Sequence, residues 1–147
     1  MATSGTFLSA EQQAQIVTAI REAEGKSSGE IKVYFEKNCR KDLLDRAVEI
    51  FHKLKMEQTA LKTGVLIYIA YGDRVFAIIG DSGINEKVPA GFWESTKTLM
   101  EGYFREEKFT EGLLKGIKLA GEQLSQFFEI SGNNTNEISD DIIISNE

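Results

Sequence analysis

The chain has 147 residues, 41% of them hydrophobic and 10% aromatic, which is ordinary for one globular domain with a sizeable core. Its formal charge of −6 is uneven: residues 129–147 hold five acidic residues and no Lys or Arg, which leaves residues 1–128 with 18 acids against 17 bases. A nearly neutral body has no basic surplus to attract a phosphate backbone, so a nucleic-acid-binding protein is excluded.

Several absences indicate where the protein works. Cys39 is the only cysteine, so no internal disulfide can form, as suits a reducing compartment. The first residues, MATSGTFLSAEQQ, lack a basic segment followed by an apolar stretch, so we expect no signal peptide. No apolar run approaches the ~18 residues of a membrane span. We therefore expect a cytoplasmic protein without a membrane partner. We also expect a monomer, which none of these absences establishes.

The first half of the chain predicts a helix, a strand and a second helix. Ser9 and Gln12 have the spacing of a capping box, and the helix that they begin should end near Gly25. The alternating pattern of residues 31–35, IKVYF, predicts a strand. Asp42 then begins a helix with one apolar side.

The second half predicts a hairpin followed by two helices. Residues 65–71 are apolar on both faces, which is typical of a central strand. Gly72 fits the first position of a two-residue type II′ turn into a third strand over residues 74–80. After a loop over residues 81–91, a third helix follows, and Thr110 fits the cap of a fourth.

This order of elements predicts the fold. The first two strands flank a helix, so they should be parallel, with a right-handed crossover, and the third strand should be antiparallel to the second. The predicted fold class is α/β, a three-layer α/β/α sandwich around a small mixed β-sheet, formed by residues 1–128. Residues 129–147 are predicted to be an acidic, disordered tail. Residues 142–144 are three isoleucines that could add an edge strand, which we do not assign.

Strand directions predict a cluster of oxygen-bearing side chains at one rim of the sheet. The first strand starts at Glu30, and the third runs backwards and ends just before Asp81, so both residues should lie at the same rim. Asn85 and Glu86 follow in the same loop. Ca²⁺ takes ~6–8 oxygen ligands in irregular geometry, so these four residues are the predicted metal ligands for Ca²⁺ or Mg²⁺. The alternative is that acids placed before a helix are solvated or act as caps.

A second hypothesis places a ligand site at the opposite rim. Glu36, Asn38, Asp73 and Glu111 are expected there, and open α/β sheets usually bind ligands at the carboxyl ends of parallel strands. Neighbouring basic residues dilute the negative charge, and Asp73 fits a turn residue as well as a ligand.

Catalytic residues remain unassigned by the sequence. The chain contains no P-loop, G-x-G-x-x-G or G-x-S-x-G motif. His52 is the only histidine and is expected on the exposed side of its helix, and Cys39 is expected to be a passive thiol.

An ordered set of short segments resembles the TPM domain family, named after a thylakoid lumen protein, a photosystem repair protein and an animal receptor modulator. The segments, which fall within residues 7–128, are SGEI (28–31), TGVLI (63–67), DR (73–74), GDSGI (80–84) and FW (92–93). Many members of the family carry a signal peptide and a membrane anchor, and this sequence shows neither.

The resemblance implies an α/β/α sandwich that binds divalent cations, chiefly Ca²⁺. It also implies either an accessory role with a protein partner that is not identified, or an acid phosphatase activity on phosphomonoesters, attributed to a plant member. The common GYGLE-like loop of the family is replaced by GDSGINE here. Glu30 and Asp81 match the family pattern best, whereas Asn85 and Glu86 are added from this sequence alone.

Overall fold

The computed structural model describes residues 8–26, 29–58, 62–128 and 142–144. The helices are α1 (Ala10–Glu24), α2 (Leu43–Lys53), α3 (Ser82–Asn85), α4 (Glu94–Arg105) and α5 (Phe109–Ser125). The strands are β1 (Glu30–Glu36), β2 (Gly64–Ala70), β3 (Val75–Gly80) and β4 (Ile143–Ile144), and a short 3-10 turn, Met56–Gln58, precedes β2.

The strands form one mixed sheet in the order β3-β2-β1-β4. β1 and β2 are parallel, and β2 and β3 are antiparallel, as predicted. Every residue of β2 is buried, which confirms it as a central strand covered on both faces.

Helices cover both faces of the sheet. On one face, α1, α4 and α5 pack against a core that includes Ile31, Val33 and Phe35 of β1. On the other face, α2 packs against a smaller core that includes Tyr34 and Tyr68. Alternate side chains of each strand thus enter different cores. The predicted α/β/α sandwich is confirmed.

Side-chain caps confirm two of the three predicted helix starts. The Ser9 hydroxyl accepts from Gln12 N (3.0 Å), and the Gln12 side chain accepts from Ser9 N (2.9 Å), which completes the capping box. Asp42 caps α2 by accepting from the backbone of Asp45. The prediction for Thr110 was wrong, because α5 begins at Phe109 and Lys108 occupies its N-cap position, two residues before Thr110.

The hairpin is longer than predicted. Ala70 pairs with Val75, so the connection is the four residues 71–74, and the left-handed backbone conformation falls on Arg74 (φ 59°). The prediction of a two-residue type II′ turn at Gly72 was therefore wrong. Gly72 N donates to Lys37 O (2.6 Å), and a Cβ at Gly72 would lie 2.5 Å from that oxygen. The glycine thus allows close contact with the end of β1.

The tail contributes a strand that we had not assigned. Ile143 and Ile144 form β4, which pairs in parallel with Tyr34 and Phe35 at the outer edge of β1. The expectation of disorder does not hold for these residues. Residues 129–141 and 145–147 lie outside the described part of the chain, where disorder stays a prediction.

Two helical glycines give opposite predictions for the same substitution. A Cβ on Gly121 of α5 would lie 2.7 Å from the Cβ of Ala23 in α1 and 2.9 Å from its Cα, so Gly121→Ala must separate the helices. We expect it to lower the free energy of unfolding by about 1–3 kcal/mol. At Gly102 of α4, no heavy atom of the described residues lies within 4 Å of that position, and Gly102→Ala should stabilise by about 0.5–1 kcal/mol.

Urea unfolding of the two single variants measures both effects. A Gly121→Ala protein that is as stable as Gly102→Ala would contradict the close packing of α1 on α5.

Candidate functional site

The amino-terminal rim is the edge of the sheet where β1 and β2 start and β3 ends. Glu30 is in register with Gly64, and Asp81 N, one residue beyond β3, donates to Gly64 O (2.9 Å). Glu30, Gly64 and Asp81 therefore form one row across three strands. At ~4.8 Å between neighbouring strands, the Cα atoms of the two acids are roughly 10 Å apart. The predicted chain reversal does bring them to one rim.

Both acids belong to the same face of the sheet. Side chains alternate between the two faces along a strand. Glu30 is four residues from Tyr34 and so lies on the same face, where Tyr34 packs against α2. Asp81 continues β3 in an extended conformation. It is four residues from Ala77 and so lies on the same face as Ala77, which also packs against α2. Glu30 is only 4% exposed. Two carboxylates thus lie at one rim on one face of the sheet.

Asp81 caps helix α3, and one of its two carboxylate oxygens takes no part in the cap. Its Oδ1 accepts from Ser82 N (2.7 Å), and its carbonyl accepts from Asn85 N (3.0 Å) at the first turn of α3. Within the described part of the chain, Oδ2 of Asp81 is buried and accepts no hydrogen bond. An unsatisfied buried polar group costs about 1–3 kcal/mol, so this oxygen is suited to a donor or a cation from outside the protein.

The other two predicted ligands lie in the same loop but are exposed. Asn85 donates from Nδ2 to Gly80 O (3.1 Å), which leaves its Oδ1 to face a ligand or water. Glu86 forms the C-cap of α3. In the described ranges, no three His, Cys, Asp or Glu side chains form a complete metal-binding group. Any cation here needs carbonyl, amide or water oxygens besides the two carboxylates, which Ca²⁺ accepts.

One further acid near this rim was missed. Glu24 is the last residue of α1, and its Oε2 accepts from Ile31 N (2.6 Å), directly after Glu30. The signal was available, because a helix C-terminus disfavours an acid unless it has a partner elsewhere. Glu24 ties the end of α1 to the start of β1.

The carboxyl-end rim, where β1 and β2 end, holds a buried ion pair. Glu36 is 5% exposed, and Arg46 donates to both of its oxygens, each at 2.8 Å. The Tyr68 hydroxyl donates to the same carboxylate. Burial alone would raise the pKa of Glu36, but the hydrogen bonds from Arg46 and Tyr68 outweigh it and hold that pKa below its ordinary value. Burial and the Glu36 carboxylate raise the pKa of Tyr68.

Asp73 is also engaged at the carboxyl-end rim. It accepts from Asn38 Nδ2 (2.9 Å) and Cys39 N (2.6 Å), and these hydrogen bonds lower its pKa. It therefore holds the hairpin against the chain that follows β1, in agreement with its interpretation as a turn residue. Glu111 is an exposed residue in the first turn of α5. The carboxylates of Glu36 and Asp73 thus already have protein donors.

A cleft of about 180 Å³ at the carboxyl-end rim has a mainly basic lining. Its walls are Glu36, Asn38, Arg40, Lys41 and Arg46. Three cationic side chains around one buried carboxylate, which Arg46 already pairs, make this cleft a poor cation site. The half-buried Cys39 thiol donates to Lys41 O (3.2 Å). His52 is exposed, as expected.

Sequence and structure comparisons identify the relatives of this chain. The sequence profile described as TPM domain matches residues 2–123. No curated protein matches the sequence significantly. Among the described residues, none of the helices combines the length and apolarity that crossing a bilayer requires.

Three solved structures are similar to this one. The BA42 protein of the psychrophilic bacterium Bizionia argentinensis is 43% identical, with a TM-score of 0.88 over 93% of this chain and 94% of that one. The N-terminal domain of a P. gingivalis protein is 18% identical, with a TM-score of 0.69 over 87% and 84% of the two chains. The N-terminal domain of the cg2496 protein of Corynebacterium glutamicum is 10% identical, with a TM-score of 0.63 over 97% and 84%. The last two share the fold alone.

Proposed function

Because the chain belongs to the TPM domain family, we propose that it is a divalent-cation-binding domain with an accessory or regulatory role. Its cation is Ca²⁺ or Mg²⁺, held at the amino-terminal rim. Asp81 and Glu30 provide the carboxylates, Asn85 provides an amide oxygen, and Glu86 lies beside them at the C-cap of α3.

The observation that carries this proposal is the buried Oδ2 of Asp81, which has no hydrogen-bond donor within the described residues. A carboxylate oxygen in that position is stabilised by a positive charge. Glu30 lies in the same row of the sheet, two strands away. A cation between the two could be shared by both carboxylates and by the exposed loop oxygens.

An accessory role follows from what such a cation would connect. Glu30 starts β1, whereas Asp81, Asn85 and Glu86 belong to the loop and short helix after β3. A bound ion would tie this surface loop to the rigid sheet. Binding would then change the order of the loop, which suits a domain that signals cation levels to another protein.

A metal-assisted acid phosphatase is the alternative. Such an enzyme needs a cation next to the phosphoryl group that it polarises. The basic cleft that could hold a phosphate lies at the carboxyl-end rim. β1 has seven residues, so the two rims are roughly 20 Å apart at ~3.3 Å per residue. Hydrolysis of p-nitrophenyl phosphate that requires the cation and is lost in Asp81→Asn would favour the enzyme.

Calorimetric titration with Ca²⁺ and with Mg²⁺ tests the proposal. We expect saturable binding of one ion to the chain, and an affinity reduced at least about tenfold in Asp81→Asn, since one charged ligand is lost. Asp73→Asn is the matched control, because it removes a carboxylate at the opposite rim and should leave the affinity unchanged. Equal loss in both variants, or no binding by the unmodified chain, would contradict the proposed site.

A further inference from the structure

β3 is an edge strand whose outer side is open. In the sheet order β3-β2-β1-β4, β2 pairs with one side of β3, and within residues 8–26, 29–58, 62–128 and 142–144 no strand pairs with the other. Asp81 N bonds to Gly64 O, so the odd-numbered residues of β3 face β2. The antiparallel alternation therefore points the N–H and C=O groups of Phe76 and Ile78 outward. These groups form a template for another strand.

A groove of about 400 Å³ runs beside this open edge. Its wall on one face of the sheet is Leu43 of α2, and its wall on the other face is α4, through Lys97, Phe104 and Arg105. Val75 and Phe76 of β3 line it between the two helices. The groove thus straddles the edge strand, as a site for an added strand must.

Exposed apolar side chains border the same edge. Val75 is 37% exposed, Leu44 58% and Val48 45%. Arg46 pairs with Glu36 and marks the side of α2 that faces β1. At 100° per residue, Leu44 and Val48 lie on the other side of α2, toward β3. Three of the large exposed apolar side chains therefore flank one strand edge.

A neighbouring cavity of about 230 Å³ provides a place for an anchoring side chain. It is lined mainly by apolar and aromatic side chains, including Phe76, Phe104 and Phe109. Arg74 and Glu107, both about four-fifths exposed, approach to 3.9 Å at this cavity. Because an exposed pair at this distance is weak, Arg74 is free to turn toward a carboxylate that enters the cavity.

The charge of the groove selects the partner. Three basic side chains, Arg74, Lys97 and Arg105, and one acidic side chain, Glu101, line it, in a chain whose net charge is −6. This local surplus of two positive charges, reduced to one where Glu107 pairs with Arg74, favours an acidic ligand.

We propose that the outer edge of β3 is a docking site for an extended segment of another protein, in which β-branched residues are flanked by carboxylates. The segment would add to the sheet as a strand antiparallel or parallel to β3, with main-chain hydrogen bonds to Phe76 and Ile78. Its apolar side chains would enter the groove and the cavity, and its acids would meet Lys97 and Arg105.

The opposite edge of the same sheet already holds a segment of this kind. Ile143 and Ile144 form β4 on β1, and Asp140, Asp141 and Glu147 flank them in the sequence. A short β-branched segment between acids is therefore compatible with an edge of this sheet. The chain's own tail sequence serves as the probe for the second edge.

The experiment is an amide NMR titration of the full chain with a synthetic peptide of residues 139–147, SDDIIISNE. We expect shift changes at residues 74–80 and 43–48. The same peptide with its three acids replaced by lysine should bind at least about tenfold more weakly, since its charges then oppose those of the groove. Shift changes confined to residues 30–36 would mean that the peptide only replaces β4, and would overturn the proposal.

Two variants locate the contact. Lys97→Glu/Arg105→Glu should weaken peptide binding about tenfold, whereas Lys115→Glu, the same change of charge on the exposed side of α5, should leave it within about twofold. Equal affinities in all three proteins would overturn the proposed groove. Concentration-dependent self-association of the chain that is lost in Lys97→Glu/Arg105→Glu would assign the edge to a second copy and overturn the assignment to a separate partner.

Discussion

Replacing Arg46 by Met is expected to lower the free energy of unfolding by about 3 kcal/mol at neutral pH. Arg46 donates two hydrogen bonds to the buried carboxylate of Glu36, and its removal leaves that charge with the Tyr68 hydroxyl as its remaining side-chain donor among the described residues. Methionine keeps the apolar length of the side chain, so most of the loss comes from the charge. Urea unfolding at neutral pH measures the difference.

The pH dependence of this loss separates charge from packing. In the unmodified protein the pKa of Glu36 is lowered, so its stabilising contribution is present above the ordinary value of 4.5 and is lost as the pH falls through the folded-state pKa. In Arg46→Met, burial should raise the pKa of Glu36, and the carboxyl group becomes neutral at a higher pH. The stability difference should therefore shrink as the pH falls from about 7 to about 4.

Two further variants act as controls for the ion pair. Lys41→Met breaks an exposed pair with Glu49, both side chains being about half exposed, and should leave the free energy of unfolding almost unchanged. Glu36→Gln/Arg46→Met removes both charges and should recover a large part of the loss. A deficit in Arg46→Met that stays constant with pH and persists in the double variant would show that Arg46 acts through packing alone.

A free Ca²⁺ concentration of about 100 times Kd is expected to raise the free energy of unfolding by about 2.7 kcal/mol. The gain arises because the folded chain holds Glu30 and Asp81 at one rim, whereas the unfolded chain does not. In Asp81→Asn the gain should almost vanish. Without the cation, the same variant should be close to the unmodified protein in stability, because asparagine also caps helices and carries no unpaired charge.

Asp42→Asn is the matched control for this experiment. Asp42 caps α2 through its side chain, as Asp81 caps α3, but it lies away from the amino-terminal rim. Its variant should keep the full gain from Ca²⁺. A gain that is lost equally in both cap variants would reflect general charge effects and would contradict specific binding at Asp81.

Features with a local cause could be predicted from the sequence. The capping box of Ser9 and Gln12 needs only a spacing of three residues, and it forms as predicted. The unbroken apolar run of β2 predicts its central place, since it leaves no polar face for water. The common rim of Glu30 and Asp81 followed from strand directions, which depend on whether a helix or a short turn connects two strands.

Features set by contacts distant in sequence could not be predicted. Glu36 accepts hydrogen bonds from Arg46, ten residues away in the sequence, and from Tyr68, 32 residues away. The sequence therefore suggested an unpaired ligand where the structure has a paired carboxylate. Gly72 was assigned to a tight turn, but the approach of Lys37 O requires it. Helix α3 has only four residues, which is too short to show a helical repeat of apolar residues, so the sequence did not predict it.

We expect a divalent cation to bind where Asp81 meets Glu30, and an amide NMR titration with Ca²⁺ would show such binding residue by residue. The shift changes should be concentrated in residues 29–31 and 80–87 and should saturate together. Unchanged spectra at millimolar Ca²⁺ and Mg²⁺, or changes concentrated at residues 36–41 and 72–74 of the opposite rim, would contradict it.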